Sequence, residues 1–87
     1  MKGYVYILNT SNNKYYIGST KNLDQRITEH NLGKTKSLKY LLPISLVFSK
    51  QYNDIKIARK IEIKLKKLKS RKIIERIIED QNILICP

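Results

Sequence analysis

Two short runs of β-branched and aromatic residues near the N-terminus constrain the fold of this chain most. They are Tyr4–Leu8 and Tyr15–Thr20, and the segment Asn9–Lys14 that separates them reads Asn-Thr-Ser-Asn-Asn-Lys. A helix accommodates such runs poorly, whereas Asn and Ser favour tight turns because their side chains bond the local backbone. The sequence therefore predicts an antiparallel β-hairpin.

Signals for helix ends and for one more strand divide the rest of the chain. Asn22 suits the N-cap of a first helix, and Gly33 suits the position just after its end. The run Ile44–Tyr52 predicts a third strand, and Asp54 and Ser70 are suited to cap two further helices. The predicted order is ββαβαα, an α+β fold in which helices pack on a small three-stranded antiparallel sheet.

Apolar spacing predicts which faces of the last two helices are buried. Spacings of three and four residues mark one face of a helix. On the second helix that face comprises Ala58, Ile61, Leu65 and Leu68. On the third helix it comprises Ile73, Ile74, Ile77 and Ile78. We expect the apolar tail, residues 83–87, to pack against the rest of the protein.

Length, cysteine content and hydropathy restrict the class of protein. We expect the 87 residues to form one domain, 1–87. The sole cysteine, Cys86, rules out an intramolecular disulfide, and no apolar run approaches the roughly 20 residues that span a bilayer. No basic and apolar leader opens the chain. These features indicate a cytoplasmic protein without a membrane anchor, and a monomer is the expected state.

The net charge of +11 implies an anionic partner. A small chain this basic attracts polyanions, and DNA, ribosomal RNA and anionic membrane all fit that requirement. Residues 50–76 hold eleven basic and three acidic residues, an excess of eight positive charges. Solvated helix faces also carry lysine, but so large an excess of one sign favours a surface that binds phosphates.

A single acid, Glu62, interrupts this basic stretch on the side of the helix that should face the sheet. At about 100° per residue it falls within the arc of Ile55, Ala58 and Leu65. An unpaired carboxylate is strongly unfavourable in such a position, so Glu62 needs a partner. The sequence allows two partners for Glu62: Lys66, four residues further on, or a hard divalent cation, which prefers oxygen ligands.

Arg26 and His30 raise a similar question, because they are four residues apart on the first predicted helix and project together. Arginine suits bidentate contact with phosphate and histidine exchanges protons near neutral pH, although a lone helix histidine is often an inert surface residue. In the hairpin, Tyr16 shares a strand face with Gly18, and a glycine within a strand marks a close approach by backbone or ligand. The tyrosines therefore suit either a core with satisfied hydroxyls or a site that cleaves phosphodiesters.

Five motifs, in order, resemble those of the GIY-YIG nuclease family. The two halves of the family signature resemble Tyr4-Val5-Tyr6 and Tyr16-Ile17-Gly18 in this chain. The arginine helix of the family resembles Leu23-x-x-Arg26-x-x-x-His30-Asn31. Its third strand resembles Pro43 with Leu46-Val47, and its acidic helix resembles Ala58 with Glu62. The resemblance covers nearly the whole chain and is greatest to small standalone members.

The resemblance implies hydrolysis of DNA phosphodiesters that depends on a divalent metal. By position, Tyr6 would be the general base or its partner, and Tyr16 would position the attacking water or the phosphate. Arg26 would clamp the scissile phosphate, His30 would help to deprotonate the tyrosine, and Glu62 would be the sole protein ligand of Mg²⁺ or Mn²⁺. Because a phenol has a pKa of about 10, such a site has to favour phenolate, and Arg26, the metal and nearby lysines would do so.

We expect DNA contacts from the basic segment after the first helix and from the helical half of the chain. The residues are Lys34, Lys36, Lys39, Lys66, Lys69, Arg71 and Lys72. Because 87 residues leave no room for a separate recognition module, cleavage should be structure-selective or weakly specific, as in repair and processing of branched, single-stranded or damaged DNA. The alternatives are a non-catalytic nucleic-acid-binding module on the same fold and, more distantly, a protein that binds a membrane or the ribosome.

Overall fold

The computed structural model describes residues 1–36 and 38–83, in which three strands and three helices follow the predicted order. Strand β1 spans Gly3–Asn9, β2 spans Tyr15–Thr20 and β3 spans Ser45–Tyr52. Helix α1 spans Leu23–Asn31, α2 spans Ile55–Leu68 and α3 spans Arg71–Asp80. The α+β class and the order ββαβαα are confirmed. Within the described residues, none of the helices has the length and hydropathy needed to cross a membrane.

The predicted hairpin forms two of the three strands of the sheet. β1 is the central strand, and β2 and β3 pair with it on either side, both antiparallel. In the β1–β2 register, Tyr6 lies opposite Gly18 and Ile7 lies opposite Ile17. β2 is therefore an edge strand of the sheet.

Alternation along β1 divides the protein into two apolar layers. Val5 and Ile7 belong to a cluster formed with α2 and α3. Tyr6 and Leu8 pack instead with Leu38, between α1 and β3, and with side chains of α1. Since successive residues of a strand face opposite sides of a sheet, α2 and α3 cover one face and α1 covers the other.

The three predicted N-caps are confirmed. The side chains of Asn22, Asp54 and Ser70 accept hydrogen bonds from first-turn backbone N–H groups of α1, α2 and α3 respectively. Such caps satisfy donors that a helix leaves unpaired, and each stabilises its helix by about 1 kcal/mol. The helix starts are thus determined locally.

The end of α1 is also the one predicted from the sequence. Gly33 has φ +76°, a left-handed conformation that glycine adopts without steric strain. Its N–H donates to the carbonyl of His30, and the N–H of Lys34 donates to the carbonyl of Glu29. This pair of bonds is a Schellman motif, which turns the chain back so that Thr35 contacts the last turn of α1.

The predicted buried faces of α2 and α3 are right except at one residue each. Leu68 is 46% exposed and Ile73 is 37% exposed, although the other members of both sets are buried or partly buried. The periodicity gives the direction of a side chain around the helix but does not show where the opposing sheet ends. Ile83 of the tail is buried, and residues 84–87, including Cys86, lie outside the described residues.

The different burial of Leu65 and Leu68, both in α2, can be tested with the same substitution at each position. Leu65 is 1% exposed, so Leu65→Ala should lower the free energy of unfolding by about 2–4 kcal/mol through lost burial and a residual cavity. Leu68→Ala should lower it by about 0.5 kcal/mol or less, because the side chain is already half in water. Urea denaturation measures both. Equal losses would contradict the observed burial.

Candidate active site

The candidate site is built around a close contact between the Tyr6 side chain and Gly18. They are paired across β1 and β2, and a Cβ placed on residue 18 would clash with the Tyr6 hydroxyl oxygen. Any larger residue would therefore have to displace the phenol. A close approach at this glycine was predicted, and the approaching group is the side chain of Tyr6.

The hydroxyl of Tyr6 meets His30, which α1 carries on its sheet-facing side. The Tyr6 Oη and His30 Nε2 atoms are 2.9 Å apart, and both side chains are almost fully buried. The ring of Tyr16 meets the imidazole edge-on, with 5.5 Å between centroids. The histidine is therefore not an inert surface residue.

Tyr6, His30 and Thr35 form a polar chain. The Tyr6 hydroxyl and His30 Nε2 are hydrogen-bonded, and His30 Nδ1 contacts the Thr35 Oγ1 atom. In a neutral imidazole one ring nitrogen carries the proton and the other accepts. With the proton on Nδ1, the phenol donates to Nε2 and the imidazole donates to Thr35. The Arg26 guanidinium interacts with the Tyr6 hydroxyl and can only donate to it.

Burial dominates the protonation of this cluster. Loss of solvation raises the pKa of Tyr6, and the hydrogen bond from Arg26 only partly opposes it. Burial also lowers the pKa of His30, with a further lowering by the charge of Arg26. Both groups are therefore uncharged at neutral pH. Of the groups expected to favour phenolate, Arg26 does lower the pKa of Tyr6, but burial raises that pKa by more.

Glu62 approaches β2 from the opposite face of the sheet. The Ser19 hydroxyl donates to Glu62 Oε1, and Lys66 Nζ lies 2.6 Å from Glu62 Oε2. The ion pair proposed from the spacing is thus present, and the Glu62 side chain remains 19% exposed. Because Gly18 and Ser19 are neighbours on one strand, their partners Tyr6 and Glu62 lie on its two faces.

An open depression of about 410 Å³ lies at this edge of the sheet. Arg26 from α1 and Arg59 from α2 both line it, together with Glu29. Arg59 precedes Glu62 by three residues and so shares its helix face, a signal that could have identified it from the sequence. Ser19 and Thr35 were also missed, and no periodicity indicates them because their contacts depend on how the helices pack.

The basic residues expected to bind DNA fall on separate surfaces. Lys66, Lys69 and Arg71 line one groove beside β2. Lys72 lies away from them in a depression of mixed charge. The exposed residues Lys34, Lys36 and Lys39 belong to the connection between α1 and β3, where Lys39 Nζ lies over the ring of Tyr40 at 5.6 Å.

Acidic and histidine side chains do not gather into a polydentate metal site. Within residues 1–36 and 38–83, no group of three or more His, Cys, Asp or Glu side chains is placed to hold an ion. A cation at Glu62 would therefore have one protein carboxylate, and its remaining ligands would be water or substrate oxygen.

Comparison with known proteins identifies the family. The model of the GIY-YIG catalytic domain matches residues 2–75, so this chain belongs to the GIY-YIG family, as its motifs indicated. A GIY-YIG domain supports chemistry of the nuclease type. The match extends from β1 into α3 and includes both faces of the edge strand.

Within the family, the similar proteins are named UPF0213. UPF0213 proteins of Streptococcus pyogenes serotype M5 (strain Manfredo) and serotype M3 (strain SSI-1) are each 35% identical over 71 residues, covering 80% of this chain and 77% of theirs. The solution NMR structure of the UPF0213 protein BH0048 from Bacillus halodurans has a TM-score of 0.60 and 32% identity. That alignment covers 91% of this chain and 84% of the other.

The buried, neutral His30 should make stability depend on pH. It is the sole histidine, and because folding lowers its pKa, the unfolded chain binds a proton first as the pH falls below about 6.5. The melting temperature should thus be steady above about pH 7 and fall as the solution is acidified through about pH 6.5. Thermal denaturation of wild type and His30→Gln measures this. An equal fall in the variant would show that another group is responsible.

Proposed function

We propose that this protein is an endonuclease that hydrolyses DNA phosphodiesters with the aid of Mg²⁺ or Mn²⁺. The observation that carries the proposal is the arrangement around β2, where Arg26 and the Tyr6–His30 pair lie on one face and Glu62 lies on the other. These are the two kinds of group that such hydrolysis requires: one set to bind phosphate and move a proton, and a carboxylate to hold a cation. The whole chain, 1–87, would act as one catalytic domain.

Arg26 and Arg59 support the binding of a phosphodiester in the depression between them. A guanidinium presents paired donors that match phosphate oxygens and remains charged at any physiological pH. Arg26 interacts with the buried Tyr6 hydroxyl, so part of its order would already be present when substrate binds. Arg26 would then stabilise the negative charge that develops on the phosphate in the transition state.

Glu62 fits a hard divalent cation. Its carboxylate is partly exposed and is flanked by the oxygen of Ser19, and the ammonium of Lys66 already occupies Oε2 as a positive counter-charge. Oxygen donors and few protein ligands suit Mg²⁺, which retains much of its water. A cation bound there would supply Lewis-acid stabilisation of phosphate oxygens. Lys66 would have to leave Oε2 to admit it.

Tyr6 is the proposed acceptor of the proton of the attacking water, and His30 is the proposed acceptor of the phenol proton. Both pKa shifts oppose formation of a phenolate–imidazolium pair before the reaction. The two transfers should therefore occur together with the attack, when Arg26 can stabilise the charge on the Tyr6 oxygen. Tyr16, edge-on to His30, would hold the imidazole in place.

DNA is the proposed partner, and structure-selective or weakly specific cleavage in DNA repair or processing is the proposed role. The support is the positive charge at both ends of β2 and in the segment after α1. We also propose a cytoplasmic monomer, in keeping with a single cysteine. A second candidate, a non-catalytic nucleic-acid-binding module, is favoured by one observation: Lys66 and Ser19 already satisfy both oxygens of Glu62.

Replacement of Glu62 distinguishes these two functions. Glu62→Gln should reduce cleavage of labelled branched and single-stranded DNA in Mg²⁺ or Mn²⁺ by about 100-fold or more, since loss of a metal site removes several kcal/mol of transition-state stabilisation. Glu79→Gln, the same change at an exposed site on α3, should cleave as wild type does. If wild type shows no turnover in either metal while binding DNA, the binding-module function is correct.

Replacement of Tyr6 tests the proposed proton path. Tyr6→Phe removes the hydroxyl but keeps the ring over Gly18, and it should reduce the cleavage rate by about 100-fold while DNA binding is retained. In the wild type, the cleavage rate should be level above neutrality and fall below about pH 6.5, because His30, whose pKa is lowered by burial, must be neutral to accept the phenol proton. Single-turnover rates over a pH series measure both. A rate that is unchanged in Tyr6→Phe would exclude Tyr6 from proton transfer.

A further inference from the structure

The groove beside β2 is lined by both basic and apolar side chains. It has a volume of about 240 Å³ and lies between the start of β2 and the α2–α3 junction. Its basic lining residues are Lys14, Lys66, Lys69 and Arg71. Its apolar lining residues are Tyr15, Ile17, Leu65 and Ile74. None of the described residues that line it is acidic.

The guanidinium of Arg71 lies over the ring of Tyr15. Its guanidinium carbon lies 4.7 Å from the centroid of the Tyr15 ring, Nη1 donates to the carbonyl of Asn13 at 2.9 Å, and Nε lies 3.4 Å from Glu75. These contacts fix one orientation, yet the side chain remains 48% exposed. The planar guanidinium therefore presents an open surface backed by an aromatic ring.

The groove adjoins Glu62 directly, because Lys66 both lines the groove and contacts the Glu62 carboxylate. Arg59, Glu62 and Lys66 follow at spacings of three and four residues along one face of α2, and Lys69 is the residue directly after its end. Lys69 is seven residues beyond Glu62, about 10 Å along the helix axis. A polyanion bound at Arg59 and Glu62 would thus continue into the groove.

We propose that this groove, which we call the Tyr15 groove, binds the unpaired nucleotides of single-stranded DNA next to the phosphate that is cleaved. Lysines there match phosphates, whereas a stacked guanidinium and an apolar floor match the face of a base. A duplex hides its base faces, so a groove of this chemistry discriminates in favour of unpaired strands. The assignment deepens the proposed nuclease function and rests on it for the position of the cleaved phosphate.

Arg71→Lys tests the stacking surface, because it keeps the charge and removes the planar group. Binding of fluorescent oligothymidylate of about 12 nucleotides, measured by anisotropy with EDTA present, should weaken about 5- to 10-fold. Binding of a duplex of equal length should change less than about twofold. Arg76→Lys is the matched control, since Arg76 lies on the same helix, pairs with Asp80 and is 82% exposed. Thermal melting verifies that both variants fold.

Lys69→Gln tests the phosphate contact, with Lys60→Gln on the opposite face of α2 as its control. Log K for the single strand decreases with log salt between about 50 and 200 mM. The magnitude of this negative slope should be smaller by about 0.7 in Lys69→Gln and unchanged in Lys60→Gln. Equal weakening of single strand and duplex by Arg71→Lys, or no weakening of either, would overturn the proposal. Tighter binding of oligouridylate than oligothymidylate would reject DNA as the ligand.

These measurements need no turnover, so they separate the groove from the nuclease function. If Arg71→Lys selectively weakens single-strand binding while Glu62→Gln leaves cleavage unchanged, the groove is established and the metal-dependent mechanism fails. If Glu62→Gln abolishes cleavage while Arg71→Lys binds single strands as wild type does, the nuclease function stands and the groove assignment fails.

Discussion

The packing of the Tyr6 ring against Gly18 is the contact on which the candidate site depends. Because residue 18 has no Cβ, the phenol of the central strand extends across the edge strand and meets α1 beyond it. There its hydroxyl is hydrogen-bonded to His30 and interacts with Arg26, and the histidine contacts Thr35 in turn. A glycine within a strand weakens the sheet locally. Here its absent side chain gives space to a buried polar chain that crosses from sheet to helix.

The position of β2 at the edge would let side chains from helices on opposite faces reach one substrate in the proposed function. Gly18 and Ser19 are adjacent, so they face opposite layers, and through them the strand contacts Tyr6 on one side and Glu62 on the other. A central strand would keep these groups apart behind its neighbours. At an edge, the partly exposed Glu62 and the Arg26 side chain beside the buried Tyr6 would both be within reach of a polymer that lies across the rim of the sheet. The fold suits a long anionic substrate better than a small enclosed one.

The buried titratable groups of the site are neutral, whereas the positive charge of the protein lies at its surface. Tyr6 and His30 are almost fully buried, and each has its pKa shifted toward the neutral form. The excess of positive charge lies instead on lysines that are mostly exposed and on arginines that reach the surface. Phosphate attraction and proton transfer would therefore be carried by different groups, which Arg26 joins because it contacts both the surface depression and the buried phenol.

The sequence by itself determined the elements, their order and the family. Strand runs, N-caps and Gly33 act through neighbouring residues, so local chemistry suffices to predict them, and helix spacing likewise indicated the pair of Glu62 with Lys66. It did not indicate that Leu68 lies half in water, nor that Ser19 and Thr35 complete the cluster, because these depend on where a packed neighbour ends. Only the tertiary structure decided that His30 is buried and neutral and that Arg71 lies over the ring of Tyr15. His30 is buried against Tyr6, which lies 24 positions earlier in the chain, and the Arg71–Tyr15 contact joins α3 to β2. No local sequence pattern records contacts of this kind.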